Sequence, residues 1–205
     1  FGFDVTHARV VGTEPLLIWM AEDPELVRDM FETELACSLQ LLDMVWDQGY
    51  TFDAIRWPDD MGYRNGTFFS VDMYRDILKP VQKRAIDWAH AKGIVAHLHS
   101  CGNINAFVPE LLEIGLDVLN PLEVKAGMDP VHLKKTFGDR LALHGGLNAM
   151  LWDDIDKTEA EVRRLLPILK QGGGYIFQED HSIPDSVSLT DFRRIVELAK
   201  ELGKY

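Results

Sequence analysis

Apolar positions along this chain alternate between two periods. Short runs rich in β-branched and aromatic residues read as strands: Phe3 to Val11, Tyr50 to Trp57, Ile94 to His99, Val118 to Glu123, Leu141 to His144 and Tyr175 to Glu179. Between them apolar residues recur at helical spacing. Asp23-Pro24 places an N-cap before a proline in the first turn and opens a helix to about Gln48. Ser70 caps the next helix, which runs to about Lys92 with a kink expected before Pro80. Asn105 to Ile114 and Pro130 to Phe137 give two shorter helices. Thr158 with Glu161 predicts a capping box for a helix to Lys170, and Ser188 with Asp191 caps the last one.

Repeated strand–helix units predict a mainly parallel sheet, either doubly wound or closed into a barrel. Chemistry-bearing residues stand at the C-terminal ends of several of these strands, and no G-x-G-x-x-G loop follows the first one. Both observations favour the barrel. The expected fold class is therefore α/β, a partial or complete TIM-type (β/α)8 barrel with about six βα units, forming a single domain over residues 1–205. A whole barrel takes eight units and roughly 250 residues. The N-terminal units are thus expected to lie outside this sequence, with the open side left unfilled or completed by another copy in a homo-oligomer.

Charge narrows the partners. Twenty-one basic against 33 acidic residues give a net charge of -12, which argues against a sequence-independent grip on nucleic acid or on an anionic membrane. No apolar run approaches the ~20 residues of a membrane span, and no signal peptide is evident, so the expected location is cytoplasmic. The two cysteines differ in context. Cys37 lies in an amphipathic helical pattern and reads as a small buried hydrophobe. Cys101 stands before a glycine near the end of the segment Gly93-Ile-Val-Ala-His-Leu-His-Ser-Cys-Gly-Asn103.

In an extended chain His97, His99 and Cys101 share one face. An imidazole and a thiolate two residues apart can hold one metal ion without bending the backbone. The plain alternative is a buried thiol beside a core histidine. His97 lies roughly 6.6 Å deeper along the strand and reads as a hydrogen-bonded core residue. Asp59 and Asp60 follow a strand, a placement that raises them above ordinary solvated loop aspartates. Trp57 and Tyr63 suit either the core or the face of a planar ligand. Gly145 and Gly146, after His144, are expected to let a ligand approach the backbone.

Four segments together resemble the uroporphyrinogen decarboxylase superfamily: Trp57-Pro-Asp-Asp-Met-Gly-Tyr63, His97-Leu-His-Ser-Cys-Gly-Asn103, Asn120-Pro-Leu-Glu-Val-Lys-Ala-Gly-Met-Asp129 and Gly174-Tyr-Ile-Phe-Gln-Glu-Asp-His-Ser-Ile-Pro184. That group contains the decarboxylase and the zinc-dependent methyltransferases that move methyl groups between corrinoids and thiols. The resemblance runs from about Gly12 onward and implies the C-terminal majority of a (β/α)8 barrel. The arginine-rich N-terminal motif of the decarboxylase has no counterpart. His99-x-Cys101 resembles the methyltransferase zinc motif. Glu123 resembles the carboxylate ligand of cobalamin-independent methionine synthases. His181 stands where methyltransferases place a second cysteine, and a histidine there resembles the decarboxylase.

The resemblance implies zinc on His99, Cys101, Glu123 and His181, a thiol substrate, and a corrinoid donor on a partner protein. Glu179 and Asp180 are expected to orient His181. The second reading is metal-free decarboxylation of a tetrapyrrole, a porphyrinogen, with Asp59 or Asp60 stabilising a pyrrole cation and His181 acting at the leaving carboxylate. Asp59, Asp60 and His181 are the catalytic candidates, the two aspartates chiefly in the second reading, and Tyr63, Gly145 and Gly146 are expected to bind the cofactor. A third reading is an inactive barrel fragment or ligand-binding remnant.

Overall fold

The computed structural model describes residues 1–204. They fall into two compact units, Phe1–Val118 and a second beginning at Leu119.

The first expected strand is helical instead. Phe3–Val5 (α1) continues into a π-helical turn over Thr6–Val11. Its β-branched composition is overridden by packing: Phe3 is fully buried, with ring contacts to Phe68 and Phe69, and Thr6 bonds back to the Gly2 carbonyl. Two helices follow, Thr13–Glu22 (α2) and Pro24–Asp47 (α3). The Asp23 carboxylate caps α3 by accepting from Leu26 N at 3.2 Å, as its sequence predicts. The buried stripe of α3 is Val27, Phe31 and Leu35. Cys37 lies off that stripe and is exposed, which corrects its expected burial.

Ala54–Pro58 (β1) leads into a hairpin of Gly62–Tyr63 (β2) and Gly66–Thr67 (β3). The Ser70-capped helix comes in three parts: Val71–Met73 (α4), a π-helical turn at Tyr74–Leu78, and Lys79–Ala91 (α5). Pro80 has no N–H for the Asp76 carbonyl four residues back, and Arg28 Nε donates to that carbonyl at 3.2 Å. Val95–His99 (β4) pairs with β1 in parallel, from Ala54↔Val95 to Pro58↔His99. Parallel pairing brings both C-terminal ends to one edge, so the loops carrying Asp59-Asp60 and Ser100-Cys101 leave side by side. Val108–Glu113 (α6) follows.

The alternation continues through Val118–Asn120 (β5), which starts on the last residue of the first unit, and then Pro130–Phe137 (α7), Ala142–His144 (β6), Ile155–Leu169 (α8), Tyr175–Ile176 (β7) and Leu189–Leu202 (α9). Strands β6 and β7 pair in parallel, Leu143↔Tyr175 and His144↔Ile176. Helix α8 starts earlier than its sequence suggests, because Asp154 is the cap and Thr158 lies inside the helix. Ser188 caps α9 in the expected box, accepting from Asp191 N and donating to its carboxylate at 2.7 Å. Val162, Leu165, Leu166 and Leu169 of α8 pack with Ile195 and Leu198 of α9 around one apolar core. Of the six expected strands the last five form, each shorter than its sequence run. Among the described residues no helix is long and apolar enough to cross a membrane.

Candidate metal centre

His99 is the last residue of β4, and Cys101 follows two positions on. Its Sγ lies 3.4 Å from His99 Nε2. Asp60, two residues beyond the end of β1, brings its Oδ1 to 3.8 Å from the same nitrogen. That oxygen also accepts the Cys101 backbone N–H at 2.8 Å. One donor atom from each residue falls within a 4.8 Å set, and all three residues are half-buried. Ligands of a tetrahedral zinc ion sit about 3.3–3.8 Å from one another, given bonds of about 2.0–2.3 Å. A thiol, an imidazole and a carboxylate suit zinc chemically, and the thiol and the carboxylate each stand from the imidazole nitrogen at about that spacing.

The loops are held by backbone contact. Met61 N donates to Ser100 Oγ at 3.1 Å, and Asn103 N donates to Tyr63 O at 2.9 Å. Gly62 and Gly102 meet so closely that a Cβ on Gly102 would stand 2.2 Å from the Gly62 carbonyl carbon, and Gly102 has φ +81°. Only glycine tolerates both conditions. The β2–β3 hairpin is thereby stapled to the loop carrying Cys101. Tyr63 on that hairpin is 47% exposed and rests against Phe68.

Asp59 points the other way. It is fully buried, with Oδ2 accepting from Gln82 Nε2 at 2.7 Å and Oδ1 from Asp4 N at 3.0 Å. Tyr74 Oη donates to Gln82 Oε1 at 2.7 Å and completes the chain. Burial pushes the Asp59 carboxyl up to about 7, against the opposing pull of the Asp4 and Gln82 hydrogen bonds. Its backbone N–H donates to His99 O at 2.7 Å and ties the two loops together. His97 is buried, as its depth along the strand predicts. Trp57 is buried too and stacks with Phe1.

In the second unit, Glu123 is half-buried with Lys125 Nζ at 3.3 Å, and His181 is exposed. The expected orienting role of Asp180 gives way to another. Its two carboxylate oxygens accept the backbone N–H groups of Val124 and Ala149, both at 2.8 Å, so it pins the segments after β5 and β6. Gly145 and Gly146 also differ from expectation. A Cβ on Gly145 would stand 2.1 Å from Pro121 O, and one on Gly146 2.8 Å from Pro130 Cβ. Gly146 N donates to Pro121 O at 2.9 Å. The room these glycines leave is taken by the chain's own prolines.

Comparison with known proteins places the chain in a family. A family model described as uroporphyrinogen decarboxylase (URO-D) matches residues 6–202. The chain belongs to the uroporphyrinogen decarboxylase family. Methylcobamide:CoM methyltransferase MtaA of Methanosarcina barkeri is 23% identical over 195 residues, which cover 94% of this chain and 54% of that protein. A solved methyltransferase structure from Methanosarcina mazei matches with a TM-score of 0.74 at 20% identity, covering 98% of this chain and 57% of its own. The chain thus spans about half the length of these relatives. Its fold class is α/β, part of the TIM-type (β/α)8 barrel of the family.

Within this family frame, the sequence pattern identified His99 and Cys101 but placed Asp60 with a substrate rather than with them. The signal was present in the strand pairing: once Pro58 lies beside His99, Asp60 and Cys101 are each two residues past the paired ends. Arg56 was missed altogether. Its guanidinium Nη2 lies 3.0 Å from His99 Nδ1.

Proposed function

We propose that this member of the uroporphyrinogen decarboxylase family is a methyltransferase that moves a methyl group from a corrinoid to a thiol, using zinc held by His99 and Cys101. The observation that carries the reading is the imidazole–thiol pair, Nε2 to Sγ 3.4 Å, with the Asp60 carboxylate beside it. Zinc bound there would supply the positive charge that keeps a substrate thiol as its thiolate at neutral pH. Cys101 and His99 hold the site, and Asp60 fixes the Cys101 loop through its backbone N–H. The substrate sulfur would take the methyl group, with the electron pair of the methyl–corrinoid bond left on the donor and the thiol proton passing to solvent.

The donor corrinoid is carried by a partner protein in this reading, and the acceptor is a small-molecule thiol in the cytoplasm. The name of the M. barkeri relative specifies a methylcobamide and CoM for that protein. Glu123→Gln and His181→Ala test whether the ligand set extends to those two residues.

Zinc-loaded protein supplied with methylcobalamin and a simple thiol should release the S-methyl product, and Cys101→Ser should stop it. Decarboxylation of a porphyrinogen by metal-free Cys101→Ser protein would support the second reading instead. In that case the accessible candidate is the half-buried Asp60, because Asp59 is enclosed.

A further inference from the structure

The imidazole of His99 has both ring nitrogens engaged, and the two engagements conflict with metal loading. Nε2 faces Cys101 Sγ at 3.4 Å and Asp60 Oδ1 at 3.8 Å, so it is the nitrogen that fits an ion. Nδ1 faces Arg56 Nη2 at 3.0 Å. A guanidinium has donors only and does not give up its proton. Nδ1 must therefore accept, and the neutral ring carries its proton on Nε2. A metal on Nε2 demands the opposite tautomer, with Nδ1–H donating to an acceptor such as a carbonyl, a carboxylate or water. Two donors would then point at each other across 3.0 Å.

The backbone places Arg56 to do this. It lies on the exposed face of β1, between the buried Ile55 and Trp57, and its register partner on β4 is His97. The parallel pairing sets its side chain one strand over and two residues back from His99. Its terminal nitrogens reach His99 while its stem stays on the sheet.

We infer that Arg56 is a displaceable brake on metal loading. Its guanidinium holds His99 in the tautomer that cannot bind through Nε2, and it must swing off Nδ1 before the ion can enter. Arg56 is a positioning residue here, acting through His99. The inference rests on the zinc reading above and adds a residue that sets how tightly zinc is held. Changing the partner of a metal-bound histidine typically moves affinity about 10–100-fold. In most sites that partner strengthens binding; Arg56, as a donor, weakens it.

The test is zinc affinity, measured by competition with a chromophoric chelator at fixed pH, for wild type, Arg56→Gln, Arg56→Ala and Arg56→Lys. Arg56→Gln offers a carbonyl to Nδ1–H, and Arg56→Ala opens Nδ1 to water. Both should bind zinc about tenfold or more tighter than wild type. Arg56→Lys keeps a donor-only cation and should stay near wild type. Nitrogen NMR of the His99 ring provides a readout that packing alone would not move. The metal-free protein should show the proton on Nε2, and the zinc-loaded protein should show it on Nδ1. If neither Arg56→Gln nor Arg56→Ala tightens zinc while wild type binds it through Cys101, the inference fails and the zinc reading stands. If neither wild type nor any of these variants binds zinc, both fail. A metal-free ring already protonated on Nδ1 also overturns the brake.

Discussion

Beneath the loop that follows β1, Asp59, Gln82 and Tyr74 form a fully buried chain of hydrogen bonds. On the other side of the same loop, Asp60, His99 and Cys101 are half-buried, with their donor atoms gathered within 4.8 Å. The two carboxylates are sequence neighbours with opposite surroundings. Asp59 meets neutral partners, a side-chain amide and a backbone N–H, in a setting where burial favours its protonated form. Asp60 meets a histidine and lies beside a thiol, where a cation would be welcome. The first region supports the loop, and the second is the candidate site. A buried polar network that is fully satisfied fixes its loop rigidly, and that rigidity helps the three candidate donors on two loops keep their spacing.

This contrast makes predictions of unequal size. The largest effect should come from Cys101→Ser. Zinc affinity should fall by at least about 100-fold, beyond what changes in groups that merely support ligands produce. Unfolding stability should change by less than about 1 kcal/mol, as for a partly exposed site. A similar loss of zinc in Asp59→Asn would break the division between support and chemistry.

Asp59→Leu should do the reverse. It leaves the buried Gln82 amide with only the weak Met61 sulfur as acceptor and takes the acceptor from the half-buried Asp4 N–H, at about 1–3 kcal/mol in all. Chemical denaturation should show that loss, and unchanged stability would mean the network holds nothing.

The pH dependence sharpens the same point. An unfolded aspartate titrates near about 3.9, whereas the folded Asp59 is pushed up to about 7. Between those values the folded protein keeps a proton that the unfolded chain has released. This contribution to stability is therefore full below about pH 4 and is lost as pH rises toward 7, by at most ~1.4 kcal/mol per unit, and is flat above. Asp59→Asn should remove that slope in denaturation curves taken from pH 5 to pH 8. Equal slopes in wild type and variant would contradict the assignment.

The smallest effect should come from Tyr74→Phe, which deletes one buried hydrogen bond to Gln82. A cost of about 1 kcal/mol in unfolding free energy is expected, with zinc affinity untouched.

Much of the support was legible in the sequence, and only part of the chemistry was. Asp23, Ser70 and Ser188 marked helix starts because a cap is a local event read from a few neighbouring residues. His99 and Cys101 were legible because strand alternation places them on one face. Residues whose roles depend on distant backbone were not. Asp59 accepts from Asp4, 55 residues away, and Asp180 from Ala149, 31 residues away. No period encodes such pairings. Gly145 and Gly146 looked open to a ligand, since a sequence cannot show that Pro121 and Pro130 fill the space. Phe3 to Val11 misled for the same reason, because burial of Phe3 against Phe68 and Phe69 decided its conformation.

Titration of the protein with cobalt(II) in place of zinc decides whether the half-buried cluster is a metal site built on the Cys101 thiolate. One ion should bind per chain, with a thiolate-to-cobalt charge-transfer absorption in the near ultraviolet that vanishes in Cys101→Ser. Absence of that absorption in the wild type, or its persistence in Cys101→Ser, would contradict that assignment.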